Sequence, residues 1–148
     1  MILIAHRGNI NGKSEYENKP SYIDIAIFNG YDVEIDLWYI DNKFYLGHDT
    51  AQYEIDFKWI IDRKSKLWVH CKNIDAIAYL KESNETINYF WHQEDDITIT
   101  SFGFFWTYPG KQLTKNSIAV MPEYKEFDNI NLAYGICSDY IIKNKEIE

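Results

Sequence analysis

Glu34-Ile35-Asp36 sets two carboxylates on alternate positions of a stretch rich in apolar residues. In a strand, alternate side chains share a face, so Glu34 and Asp36 point one way while Val33, Ile35 and Leu37 point the other. Paired carboxylates repel unless a cation lies between them, and Mg²⁺ or Ca²⁺ takes oxygen ligands of this kind. Alone, the pair also fits a solvated edge strand. Trp68, His70 and Lys72 share a strand face by the same alternation. His70 can ligate a metal ion and Lys72 can offset phosphate charge; a hydrogen-bonded His and a snorkelling Lys are the plainer reading. His6-Arg7-Gly8 pairs a titratable ring with a planar phosphate-binding fork and a residue that lets backbone approach closely. His48-Asp49 repeats the histidine theme. Each pattern is weak taken singly.

These groups are meaningful only if the chain converges them. Apolar runs predict strands at Ile2 to Ala5, Tyr31 to Ile40, Lys43 to Leu46, Lys66 to Cys71 and Ile87 to Trp91. Helical spacing predicts helices over Lys19 to Phe28, Gln52 to Lys64 and Asp75 to Lys81, the last capped by Asn73. All four histidines (His6, His48, His70 and His92) fall at or just after the C-terminal end of a predicted strand. After about residue 90 the pattern changes to short strands, at Ile97 to Ser101, Phe104 to Trp106, Ser117 to Met121 and Tyr134 to Cys137. The intervening segments hold at most a brief helix near Phe127 to Leu132. Alternating strands and helices predict an α/β fold: a compact, trimmed TIM-type (β/α) barrel with some outer helices replaced by loops, its active face at the strand C-terminal ends.

The chain of 148 residues suits a single domain. Its formal charge of -8 repels nucleic acid and anionic membrane, so a bound phosphate requires a local cation. Cys71 and Cys137 lie in apolar stretches and read as buried free thiols. Neither a leader nor a membrane span is visible, which predicts a cytoplasmic protein with no stable membrane insertion.

Taken in order, His6-Arg7-Gly8, Glu17-Asn18, Glu34-x-Asp36 and Gly47-His48-Asp49 resemble the signature of the glycerophosphodiester phosphodiesterases, within the phosphatidylinositol-phospholipase-C-like barrel group. His70-x-Lys72 and the Tyr134 to Tyr140 segment continue the resemblance more loosely. It implies metal-dependent hydrolysis of a small phosphodiester, with a cyclic phosphate as a possible intermediate stage. His6 and His48 would be the general acid/base pair, and Arg7 and Lys72 would bind phosphate. Glu34, Asp36 and His70 would hold a divalent ion, supported from behind by Glu17, Asn18 and Asp49. The family places Glu where His70 stands, which extends the expected ions from Mg²⁺ or Ca²⁺ to Mn²⁺ or Zn²⁺. Trp38, Trp91, His92 and Trp106 lie near predicted strand ends and can stack on a glycerol, sugar or choline group, or simply pack the core. The competing readings are a binding module without turnover and a phospholipase of the same barrel group.

Overall fold

A computed structural model describes residues 1–145. Strand β1 (Ile2–His6) enters the centre of the sheet and is followed by helix α1 (Pro20–Phe28). Next come β2 (Asp32–Ile40), β3 (Lys43–Leu46), β4 (Tyr53–Ile55), α2 (Phe57–Arg63), β5 (Leu67–Cys71) and α3 (Ile74–Glu82). The remainder contributes β6 (Tyr89–Phe90), β7 (Ile97–Ile99), β8 (Phe105–Thr107), β9 (Ser117–Val120) and β10 (Gly135–Ser138).

The ten strands of the described residues form one sheet. Its parallel part runs β6, β5, β2, β1, β10, β9, β8, and β7 adds antiparallel to β8. The sheet curls, and its ends approach where Ser101 N–H donates to Tyr89 O at 2.7 Å and Tyr89 N–H donates to Ser101 Oγ at 2.9 Å.

This architecture corrects the expected (β/α) barrel. The protein is mostly sheet, a curled half-barrel, and among the described residues the three short helices all lie before residue 83. Every strand but β4 lies where an apolar run predicts one, but helices do not alternate with strands after α3. Residues 108–116 and 121–134 link parallel neighbours with turns and one 3-10 turn (Ile130–Leu132), and the link from β7 to β8 is a hairpin. The helix expected over Gln52 to Lys64 also divides. Tyr53, Glu54 and Ile55 pair antiparallel with β3, and Asp56 then caps a shorter helix by accepting the Trp59 N–H at 2.9 Å.

Two cores follow from strand alternation. On the convex face Ala5, Val33, Ile35, Leu37 and Val69 pack with Ile23, Ala26, Ile60 and Leu80 of the helices. Burying each large aliphatic side chain contributes about 1.5–3 kcal/mol. On the concave face Ile4, Trp68, Phe90, Trp106, Ile118 and Val120 fill the base of the curl. The next residues along the same face are His6, Glu34, Asp36 and His70. Cys71 and Cys137 are buried free thiols, as expected. Among the described residues no helix is long and apolar enough to cross a membrane.

Candidate active site

The concave face opens into a cavity of about 550 Å³ whose walls include His6, Arg7, Glu34, His48, His70 and Lys72. Register explains the convergence. His6 on β1 pairs with Glu34 on β2, and Asp36 on β2 pairs with His70 on β5. His48 arrives differently from expectation. Strand β3 runs antiparallel to β2, so His48 does not follow the end of a parallel strand. It reaches the cavity because Gly47 N–H donates to Asp36 O at 3.2 Å.

Glu34 and Asp36 are buried, pointing inward rather than to bulk water. His70 Nδ1 lies 3.7 Å from Glu34 Oε1 and 3.3 Å from Asp36 Oδ1. Ligand atoms of these three residues all lie within 4.8 Å of one another. Two features fit a divalent cation among them. Asp36 Oδ1 is buried and accepts no hydrogen bond. His70 Nε2 donates to His92 O at 3.2 Å, which turns Nδ1 toward the carboxylates, and a histidine ligand usually has its second nitrogen tied back in this way. Without a cation a proton serves instead: burial alone would lower the His70 pKa, but Asp36 and Glu34 raise it to about 9. Burial would raise the Asp36 pKa, yet His48, His70 and Arg7 around it hold it well below the usual carboxylate value.

The two candidate proton-transfer groups have opposite tautomers. His6 Nδ1 donates to Asp139 Oδ1 at 2.7 Å, so Nε2 is the nitrogen left to accept a proton from the cavity. Burial would lower the His6 pKa, but the Asp139 hydrogen bond and the Glu34 charge raise it. Arg7 Nη2 donates to His48 Nδ1 at 2.7 Å, which leaves the proton of neutral His48 on Nε2. His6 Nε2 can therefore act as a base, and His48 becomes an acid once a second proton occupies Nδ1, which faces Asp36 Oδ2 at 3.5 Å.

Arg7 was expected to grip phosphate. Its side chain lines the cavity, but Nε faces Asp36 Oδ2 at 3.1 Å and Nη1 donates to Glu17 Oε2 at 3.2 Å. Arg7 thus orients His48 and balances buried acids. Lys72 Nζ sits 3.9 Å from Asp36 Oδ1 and is the less encumbered cation at the cavity wall.

The loop after β1 is built around backbone that non-glycine residues rarely adopt, with φ of 53° at Arg7 and 63° at Asn18. Arg7 N–H donates to Glu34 O at 3.0 Å, and Asn18 N–H to Arg7 O at 3.1 Å. The Asn18 amide donates to Asp36 Oδ2 and accepts from Asp36 N–H, both at 2.9 Å. Strain of this kind persists where surrounding contacts fix it, and it clusters at functional sites. Glu17 and Asn18 are therefore supports. Asp49 is not: its side chain is 93% exposed, at 3.6 Å from His48 Nε2.

Comparison with family models, curated proteins and solved structures returns no match.

The geometry adds residues that sequence reading passed over. Asp139 lay within the Tyr134 to Tyr140 segment without a role. It is buried, receives Asn9 Nδ2 at 2.8 Å as well as His6, and its own N–H is held by Glu123 Oε1 at 2.9 Å. Tyr108 stacks on His92 with ring centroids 3.7 Å apart, and both line the cavity. Of the aromatics expected near the pocket, Trp106 and His92 line it. Trp38 instead ties down the β3 loop by donating to Gly47 O at 2.7 Å, and Trp91 is exposed.

Proposed function

We propose that this chain is a metal-dependent phosphodiesterase acting on a small diester of the glycerophosphodiester kind, with a site like that of the family its motifs resemble. The observation that carries the reading is the meeting of His6, Glu34, Asp36, His48 and His70 around one cavity, from segments remote in sequence.

Glu34, Asp36 and His70 would hold the ion, whose contribution when bound is polarisation of a phosphoryl oxygen. His6 Nε2 takes the proton from the attacking oxygen, which is water or a hydroxyl of the substrate. His48, as the imidazolium with Nδ1–H facing Asp36 Oδ2, gives its Nε2 proton to the departing alcohol as its P–O bond breaks and the new P–O bond forms, and is left neutral. Lys72 faces the non-bridging oxygens, where a fixed charge favours the transition state. Attack by a substrate hydroxyl gives a cyclic phosphate, and the same two histidines then serve its opening by water.

The test is hydrolysis of bis(p-nitrophenyl) phosphate and of glycerophosphoglycerol, with Mg²⁺, Ca²⁺, Mn²⁺ or Zn²⁺ and after chelation. Turnover should require an ion. His6→Ala and His48→Ala should each lower kcat/KM about 10²–10⁴-fold. Full activity in chelator, or in either folded variant, overturns the proposal. Diester binding without turnover would instead identify a binding module.

A further inference from the structure

Two cavities flank the Arg7–His48 pair. The larger, of about 550 Å³, opens on the His6 side. The smaller, of about 360 Å³, opens on the far side of His48. Arg7 and His48 line both, so a diester held at that pair would send one ester arm toward each space. Their other charged residues differ in sign. Lys13 and Lys72 line the larger cavity, whose only carboxylate among the described residues is the candidate metal ligand Glu34. Glu15, Glu17 and Asp49 line the smaller. In a chain of net charge -8, the larger cavity is a local inversion.

Lys13 is the distinctive group. Its Nζ sits 5.3 Å from the Tyr124 ring centroid at the cavity rim, and among the described residues no carboxylate forms an ion pair with it. Below it, Trp106, Val120 and Met121 form an apolar floor. Met121 is fixed there in left-handed backbone (φ 51°) by donating its N–H to Cys137 O at 2.7 Å. A cationic headgroup would meet Lys13 and Lys72 in this space, while an anionic one would find an ammonium that, among the described residues, no carboxylate holds.

We infer that the larger cavity selects a retained arm bearing a second anionic group, read by Lys13, and that the leaving alcohol departs through the acid-rimmed cavity beside His48. The inference rests on the phosphodiesterase reading and deepens it. Charge across the site then fixes which P–O bond is cut: the product in the larger cavity keeps the phosphate and the second anion.

The test compares two p-nitrophenyl diesters of glycerol phosphate, one with the far hydroxyl free and one with it phosphorylated. Both keep the hydroxyl next to the reacting phosphate. Wild-type protein should favour the phosphorylated diester about fivefold in kcat/KM, the scale of one exposed charge pair. The preference should shrink as salt rises from 0.05 to 0.5 M, values at which screening shortens from roughly 14 Å to about 4 Å. Lys13→Ala should abolish the preference with the unphosphorylated diester unaffected, and Lys13→Glu should invert it. Equal rates for both diesters in wild type, or equal losses in Lys13→Ala, overturn the inference and leave the phosphodiesterase reading standing. Calorimetry with glycerol 1,3-bisphosphate against glycerol 1-phosphate gives a readout without turnover. Tighter, Lys13-dependent binding of the bisphosphate by a protein that hydrolyses neither diester would uphold the anion subsite and sink the enzyme reading.

Discussion

Asp139 fixes the tautomer of His6, and the proposed base depends on that single contact of 2.7 Å. In Asp139→Asn the carboxylate charge that favours a protonated His6 is gone. We expect kcat to fall about a hundredfold, within the range of acid–base contributions, while KM changes little. Steady-state kinetics with a thermal melt to confirm folding checks this. At His70 the expectation concerns protons. The ring is protonated up to about pH 9 without an ion, so an incoming cation must displace a proton. Calorimetry with Mn²⁺ in buffers of different ionisation heat should show release of about one proton per ion at pH 7. Affinity should climb with pH toward 9 and then level, and His70→Ala should lose the release. Glu34, Asp36, His70 and Lys72 were legible from sequence because strand alternation is a local rule. Asp139 was not, because its partner lies 133 positions away and only the pairing of β1 with β10 brings them together.

At the scale of elements, small connecting pieces decide where the chemistry sits. Gly47 has φ +155°, and an added Cβ would stand 2.0 Å from Thr50 O, with no flexible side chain to yield. Gly47→Ala should therefore cost about 2 kcal/mol or more and displace His48. Its activity should fall further than a melt would explain, and equal kcat in the folded variant would contradict this. Asn73 has a double task. Its Oδ1 accepts Ala76 N–H at the start of α3 and Tyr39 N–H on β2, both at 3.2 Å, while Nδ2 donates to Tyr39 O at 2.9 Å. Asn73→Ala should lose about 2 kcal/mol, the upper end for a cap, because an inter-element tie goes with it. Denaturant unfolding measures that. The Asn73 cap was readable from its position before an apolar periodic run. The division of residues 52–64 into strand and helix was not, since Ile55, Trp59 and Ile60 fit helical spacing while Tyr53 and Ile55 answer to pairing with β3.

For the whole molecule, titration predicts an optimum of stability for the metal-free protein. His70 and His6 have raised pKa values, so their contribution is complete below the unfolded value of 6.5 and is lost as pH rises, for His70 through about 9. Burial and the nearby His70 charge push His92 down to about 4, so the unfolded chain takes up that proton first and stability falls as pH drops below 6.5. Asp36 and Asp139 are lowered, and their contribution disappears in stronger acid. Melting temperature in chelator should peak near about pH 6.5. A value still rising from pH 7 to 9 would contradict the assignment of His70. The global fold was only half legible. Concave and convex faces of β1, β2 and β5 followed from alternation, whereas the order of the short later strands depends on long-range pairing that their few residues do not encode.

The join between Ser101 and Tyr89 has a dynamic consequence. Strand β6 offers two residues and β7 three, so this side of the curl is held by far fewer backbone bonds than the β1–β2–β10 arc opposite. Breathing of the protein will concentrate there, because local opening starts where the fewest hydrogen bonds must break. Amide exchange should run fast over residues 97–105 and slow over 3–6 and 33–37. Opening there would leave His6, Glu34 and Asp36 on the firmer arc, so their spacing should hold while the seam exchanges.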